Sequence, residues 1–147
     1  MAPKRILIVD DEIGSTRLLK ANLELTGRYT VRVENQPENA LAVARQFKPQ
    51  LFLLDIVMPN LSGTQLAAIL QADPELTGVP IAFLSAAPPS LLPRGSYPIL
   101  HGRPCISKPA CMEEILQFLE QILPLAPVPG LEAQVGPVQL HGATNEQ

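Results

Sequence analysis

Four places along the chain carry residue types whose spacing points to chemistry: Asp10-Asp11, Asp55, Ser85 and Lys108. Each stands at the end of a short apolar run. Ile6-Leu7-Ile8-Val9 leads into Asp10-Asp11, Leu51-Phe52-Leu53-Leu54 into Asp55, Ile81-Ala82-Phe83-Leu84 into Ser85, and Cys105-Ile106-Ser107 into Lys108. Taken singly, each has a plain explanation. An aspartate after a strand is commonly a turn former or a helix N-cap, a serine there is a loop residue, and a lysine is a solvated charge. Gathered together, they are three carboxylates beside a hydroxyl and an ammonium. Like charges about 4 Å apart cost roughly 4 kcal/mol per pair at an effective dielectric near 20, so such a cluster must keep protons or hold a cation. Hard oxygen ligands at a partly open site favour Mg²⁺, which retains several of its own waters.

The elements that would gather them follow from two alternating periodicities. Residues 5–9 make a strand. Residues 13–26 set Ile13, Leu18, Leu19, Leu23 and Leu25 at near-helical spacing, and Gly27 supplies a stop. Tyr29-Thr30-Val31-Arg32-Val33 alternates like an edge strand, and Pro37 is placed to open a helix through Phe47. The run 51–54 is apolar without alternation, as in a strand buried on both faces of a parallel sheet. A helix over 63–71 and a strand over 80–84 follow. Strand and helix in turn imply a doubly wound α/β fold, a five-stranded parallel sheet covered on both faces. With strand order 2-1-3-4-5, the first and third strands are neighbours. Their carboxyl ends form the crevice where such sheets place function.

Beyond Ser85 the pattern weakens. Prolines at 88, 89, 93, 98 and 104 exclude an ordinary helix interior, although residues 105–107 suit a short fifth strand. Residues 112–123 return to helical spacing with Ile115, Leu116, Leu119, Ile122 and Leu123, and Pro124 ends it. The reading is one domain over 1–123 and a Pro/Gly-rich, disordered tail over 124–147.

Composition closes off several function classes. A net charge of −3 and no basic stripe give no reason to expect direct contact with nucleic acid. No run reaches the roughly 18 to 20 apolar residues of a membrane span, and the N-terminus lacks a secretory signal, so the expected location is the cytoplasm. Cys105 and Cys111 form no disulfide framework, and His101 stands at no zinc-ligand spacing from them.

The stretches ILIVDDE, LLDIVMPNLSG, IAFLSA and ISKP, in this order and near this spacing, resemble the receiver domain of bacterial two-component response regulators, of the stand-alone chemotaxis-regulator-like type. The likeness covers residues 4–123. It implies that Asp55 accepts a phosphoryl group from a sensor histidine kinase or phosphotransfer protein. It further implies that Asp11, Asp55 and the backbone carbonyl of Val57 bind Mg²⁺ directly, with Asp10 acting on the metal through water. Ser85 and Lys108 match the hydroxyl and ammonium that engage the phosphoryl oxygens. Pro109 matches a proline that helps to aim the lysine. A receiver of this kind is a regulator rather than an enzyme, and with no DNA-binding domain after residue 123 it would act on a separate effector protein by contact.

Two departures stand out. The interval 86–104 leaves the family's fourth helix short or degenerate. Cys105 occupies the switch position three before the lysine, where the family often has Tyr or Phe. These motivate an alternative, a receiver-like scaffold whose partner binding does not depend on phosphorylation. A hydrolase with an aspartyl-phosphate intermediate fits less well, because the usual signature puts a second Asp two residues after the nucleophile, where Val57 stands.

Overall fold

Strand β1 (Lys4–Val9) explains the continuous apolar runs. Its alternate side chains enter two different cores: Ile6 and Ile8 one, Leu7 and Val9 the other. The same division recurs in β3 (Leu51–Asp55), where Leu51 and Leu53 face one layer and Phe52 and Leu54 the opposite layer, all fully buried. Each such side chain contributes about 1.5–3 kcal/mol relative to exposure. This computed structural model describes residues 2–86, 99–108 and 110–124, without the side chain of Ser85. The expected short or degenerate fourth helix, within the interval 86–104, falls largely outside the described residues, as do Pro109 and the tail beyond Pro124.

One core is roofed by α1 (Ile13–Leu25) and α4 (Met112–Ile122), through Leu23, Ile115, Phe118 and Leu119. The other is roofed by α2 (Ala40–Phe47) and α3 (Gly63–Ala72), through Ala40, Ala44, Leu66 and Leu70. Helix α2 is preceded by a 3-10 turn, Pro37–Asn39, opened by the proline expected to begin it. Strand β2 (Tyr29–Glu34) pairs with one edge of β1, and β4 (Ile81–Ser85) lies beyond β3. Every one of these pairings is parallel.

The five parallel strands stand in the expected order 2-1-3-4-5, the fifth being β6 (Arg103–Ser107). Among the described residues the sheet has a sixth, because a two-residue strand, β5 (Ile99–Leu100), pairs antiparallel with β6 at its edge. The reason lies in the two residues between them. His101 and Gly102 both have positive φ, 52° and 77°, as a two-residue hairpin turn of the primed type requires. The strand therefore begins at Arg103, two residues before Cys105, and contains Pro104, which stands opposite Ile99 of β5 and just before Cys105, where the register with β4 starts.

Helix α1 also departs from expectation. Ile13, Leu18 and Leu25 are exposed, and the inward face runs instead through Thr16 and Leu23 with Leu19 partly covered. Thr16 can be buried because its hydroxyl donates to the carbonyls of Glu12 and Ile13, within 3.1 and 3.0 Å. Among the described residues, no helix is long and apolar enough to cross a membrane.

Candidate functional site

Register brings the polar residues to one edge. Val9 is level with Leu54, Asp55 with Leu84, and Ser85 with Ser107. The residues just past these points therefore surround the carboxyl ends of β1, β3, β4 and β6. Carboxylate oxygens of Asp10, Asp11 and Asp55 all lie within 4.8 Å of one another. Asp10 and Asp55 are buried, while Asp11 is exposed. Lys108 reaches in from the end of β6, its Nζ 2.7 Å from Asp10 Oδ2 and 3.5 Å from Asp55 Oδ1.

Burial raises the Asp55 carboxyl above the ordinary range, and the negative charge of Asp10 adds to it; Lys108 opposes both. Burial alone would lower the Lys108 pKa, but its hydrogen bond to Asp10 and the charges of Asp10 and Asp55 outweigh that and hold it up. Lys108 is thus a fixed cation. Three carboxyl groups face a single ammonium, so acidic groups are in excess. A crowd of hard oxygen atoms with that surplus suits a dication such as Mg²⁺, so the residues present fit one.

Val57 follows Asp55 by two residues and is 74% exposed. Cys105 stands apart from the acidic group. It is buried in the core layer with Phe83 and Leu54, and burial pushes its thiol up to about 11. Ser85 ends β4 in register with Ser107, the position before Lys108.

Sequence reasoning overlooked the residues that hold the β1–α1 loop. The side-chain amide of Asn35, just past β2, donates to the Asp10 carbonyl at 2.7 Å and to the Thr16 hydroxyl at 3.0 Å. The Glu12 N–H donates to Asp10 Oδ1 at 3.0 Å. Asn35 contacts Asp10 across 25 positions of sequence, and no local pattern announces such a bond. The β3–α3 loop is closed differently. Ser62 caps α3 in a reciprocal capping box with Gln65, a signal that the Ser-Gly-Thr-Gln stretch does carry.

Comparison with known proteins agrees with this geometry. A family model described as the response regulator receiver domain matches residues 6–120. The polar-differentiation response regulator DivK of Brucella anthropi is 32% identical over 121 residues, covering 80% of this chain and 97% of that protein. Protein PilH of Pseudomonas aeruginosa is 41% identical over 81 residues, 55% of this chain and 66% of PilH. Among solved structures, the chemotaxis protein CheY4 of Vibrio cholerae superposes with a TM-score of 0.68 at 20% identity, over 83% of this chain and all of that one, which shows the fold.

Proposed function

Since the chain belongs to the response regulator receiver family, we propose that it is a phosphoacceptor switch that takes a phosphoryl group onto Asp55 from a sensor histidine kinase or phosphotransfer protein. Receivers of this family are signalling switches and not enzymes. One observation carries the assignment of Asp55: it alone of the three carboxylates ends a fully buried strand and also faces the Lys108 ammonium from within the acidic group.

In the proposed transfer, an Asp55 carboxylate oxygen forms a bond to phosphorus as the bond from phosphorus to the donor histidine nitrogen breaks. The electron pair of that bond stays on the nitrogen. Asp10, Asp11, Asp55 and the Val57 carbonyl would hold Mg²⁺, which when bound offsets the charge of the carboxylates and the incoming phosphoryl group. Lys108, already inside the site, supplies a fixed counter-charge for the phosphoryl oxygens, so the chain contributes positioning and electrostatics more than covalent chemistry. Ser85 is assigned to the phosphoryl oxygen and Pro109 to the aim of the lysine, both by their place in the family motif. Residues 1–123 are the functional domain, and 124–147 are not needed for transfer. The two free cysteines, Cys105 and Cys111, suit a reducing cytoplasm, where kinase and effector would be met.

The buried Cys105 favours a second reading in one respect: an aromatic ring that changes place on phosphorylation is missing from the switch position. Partner binding indifferent to phosphorylation would follow if nothing else relays the change. Incubation with acetyl phosphate and Mg²⁺, followed by intact-mass measurement and effector pull-down, separates the two. One added phosphoryl group with altered effector binding supports the switch. Labelling without altered binding supports the scaffold, and absence of labelling contradicts the phosphoacceptor reading.

A further inference from the structure

Helix α3 begins against the peptide that follows Asp55. The Gly63 N–H donates to the Ile56 carbonyl at 2.8 Å, and the Ile56 N–H donates to the Leu84 carbonyl at 3.1 Å. Ile56 is therefore held between β4, through its N–H, and the first turn of α3, through its carbonyl. A Cβ placed on Gly63 would overlap the Asp55 carbonyl oxygen and lie 2.9 Å from both the Asp55 carbonyl carbon and Ile56 Cα. Gly63 has no positive φ, so the requirement is for space and not for an unusual backbone conformation.

All three obstructing atoms are backbone, so no side-chain rotation relieves the overlap. Either the start of α3 retreats or the Asp55–Ile56 peptide turns. The first breaks the bond from Gly63 to Ile56 and frees the loop that carries Val57. The second re-aims the Asp55 carboxylate directly. The first route reaches the Val57 carbonyl and the second the Asp55 side chain, so either one disturbs a group of the acidic site.

From this contact we propose that Gly63 is a positioning residue for the acidic site. The absence of its side chain lets α3 press on the backbone of Asp55 and so fixes the direction of the carboxylate and of the next loop carbonyl. The inference rests on the reading of Asp55 as phosphoacceptor and on the same atoms serving the metal. It concerns how closely the loop must be held, which the assignment of Asp55 leaves open.

The test is Gly63→Ala in the full chain, with three readouts: Mg²⁺ affinity by titration, the rate of phosphorylation by acetyl phosphate at saturating Mg²⁺, and the thermal midpoint. A misplacement of about 1 Å can cost as much as 10²-fold in a positioned reaction, so a loss of about tenfold or more is expected in both affinity and rate, with a cooperative melt retained. Gly78→Ala is the control, since nothing lies within 4 Å of its Cβ position, and it should leave all three unchanged. Ser62→Ala combined with Gln65→Ala removes the capping box without adding an atom near Asp55, and should hold Mg²⁺ affinity within about twofold of the parent. A Gly63→Ala protein that binds Mg²⁺ and is phosphorylated like the parent overturns the proposal. So does one that cannot fold, which would make the contact a need of the fold and not of the site. An equal loss in the capping-box variant also overturns it, by tracing the effect to helix stability. If the parent itself accepts no phosphoryl group, the reading of Asp55 fails, while the Mg²⁺ titration still judges Gly63.

Discussion

The two loops that carry the carboxylates are secured by different physics. The β1–α1 loop is tied by side chains, with Asn35 bonded to the Asp10 carbonyl and the Thr16 hydroxyl. The β3–α3 loop is wedged by backbone, with Gly63 and Leu84 bonded to either side of Ile56 and no room for a methyl group at Gly63. The first can be loosened one hydrogen bond at a time. The second tolerates no added atom. Under the proposed function, the site admits a cation and then a phosphoryl group, and the two kinds of support divide the work. Asp55, the proposed phosphoacceptor, is wedged by backbone, while the Asp10–Asp11 pair opposite is tied by side-chain bonds.

Lys108 pairs with both Asp10 and Asp55, so its removal should have the largest effect. Lys108→Ala should slow phosphorylation by acetyl phosphate by about 10²-fold, because the fixed counter-charge for the phosphoryl oxygens is gone. The same variant should bind Mg²⁺ more tightly, because the ammonium no longer competes for Asp10. Weaker Mg²⁺ binding would mean that Lys108 organises the carboxylates instead of competing for them.

Asn35→Ala tests the tied loop alone. Loss of groups that orient ligands commonly costs 10-fold or more in metal affinity, and roughly tenfold is expected here, with the phosphorylation rate at saturating Mg²⁺ nearly restored. A rate deficit that persists at saturation would show that Asn35 also acts on Asp55, and the contrast between the loops would then be false.

A smaller effect concerns stability. Asp55 has its pKa raised by burial and then by Asp10. Its ionised form is therefore disfavoured in the folded state, and stability from this group falls as pH rises from the ordinary carboxylate range through the raised value. In Mg²⁺-free buffer at pH 7, Asp55→Asn should raise the thermal midpoint by a few degrees, the scale of about 1 kcal/mol in a domain of this size. The gain should shrink as pH falls through that window. Excess Mg²⁺ should reverse the ranking, since only the parent keeps the full ligand set, and binding at 100 times Kd is worth about 2.7 kcal/mol. A variant that melts below the parent without Mg²⁺ would contradict the assigned direction of the Asp55 shift. The smallest expected change is in phosphoryl lifetime. Val57 is exposed beside the site and its side chain has no polar atom with which to orient water, so Val57→Asn should shorten the lifetime severalfold. An unchanged lifetime would remove water positioning at 57 from the account.

What the sequence could disclose depended on whether the cause was local. The unbroken run Leu51-Phe52-Leu53-Leu54 revealed a strand buried on both faces, and with the other runs it located the acidic edge. The hairpin at His101-Gly102 went unseen because five nearby prolines pointed to irregular chain, although two positive φ values there make a turn that pairs β5 with β6. In α1 the apolar residues Leu18 and Leu25 suggested the wrong inward face. Threonine looks polar in sequence, yet Thr16 satisfies its own hydroxyl on the preceding turn and takes the buried place. Asn35 reaches Asp10 across 25 positions, which no local pattern encodes; Gly63 closes the LLDIVMPNLSG motif, but its backbone contact with Asp55 is not written in the residue types.

The central claim is that Asp55 is where the phosphoryl group goes. Borohydride reduces an aspartyl phosphate to homoserine, which survives digestion and peptide mass measurement. After treatment with acetyl phosphate and Mg²⁺, the account predicts homoserine at position 55 in the parent and none anywhere in Asp55→Asn. Homoserine at position 10 or 11, or undiminished labelling in the variant, would contradict it.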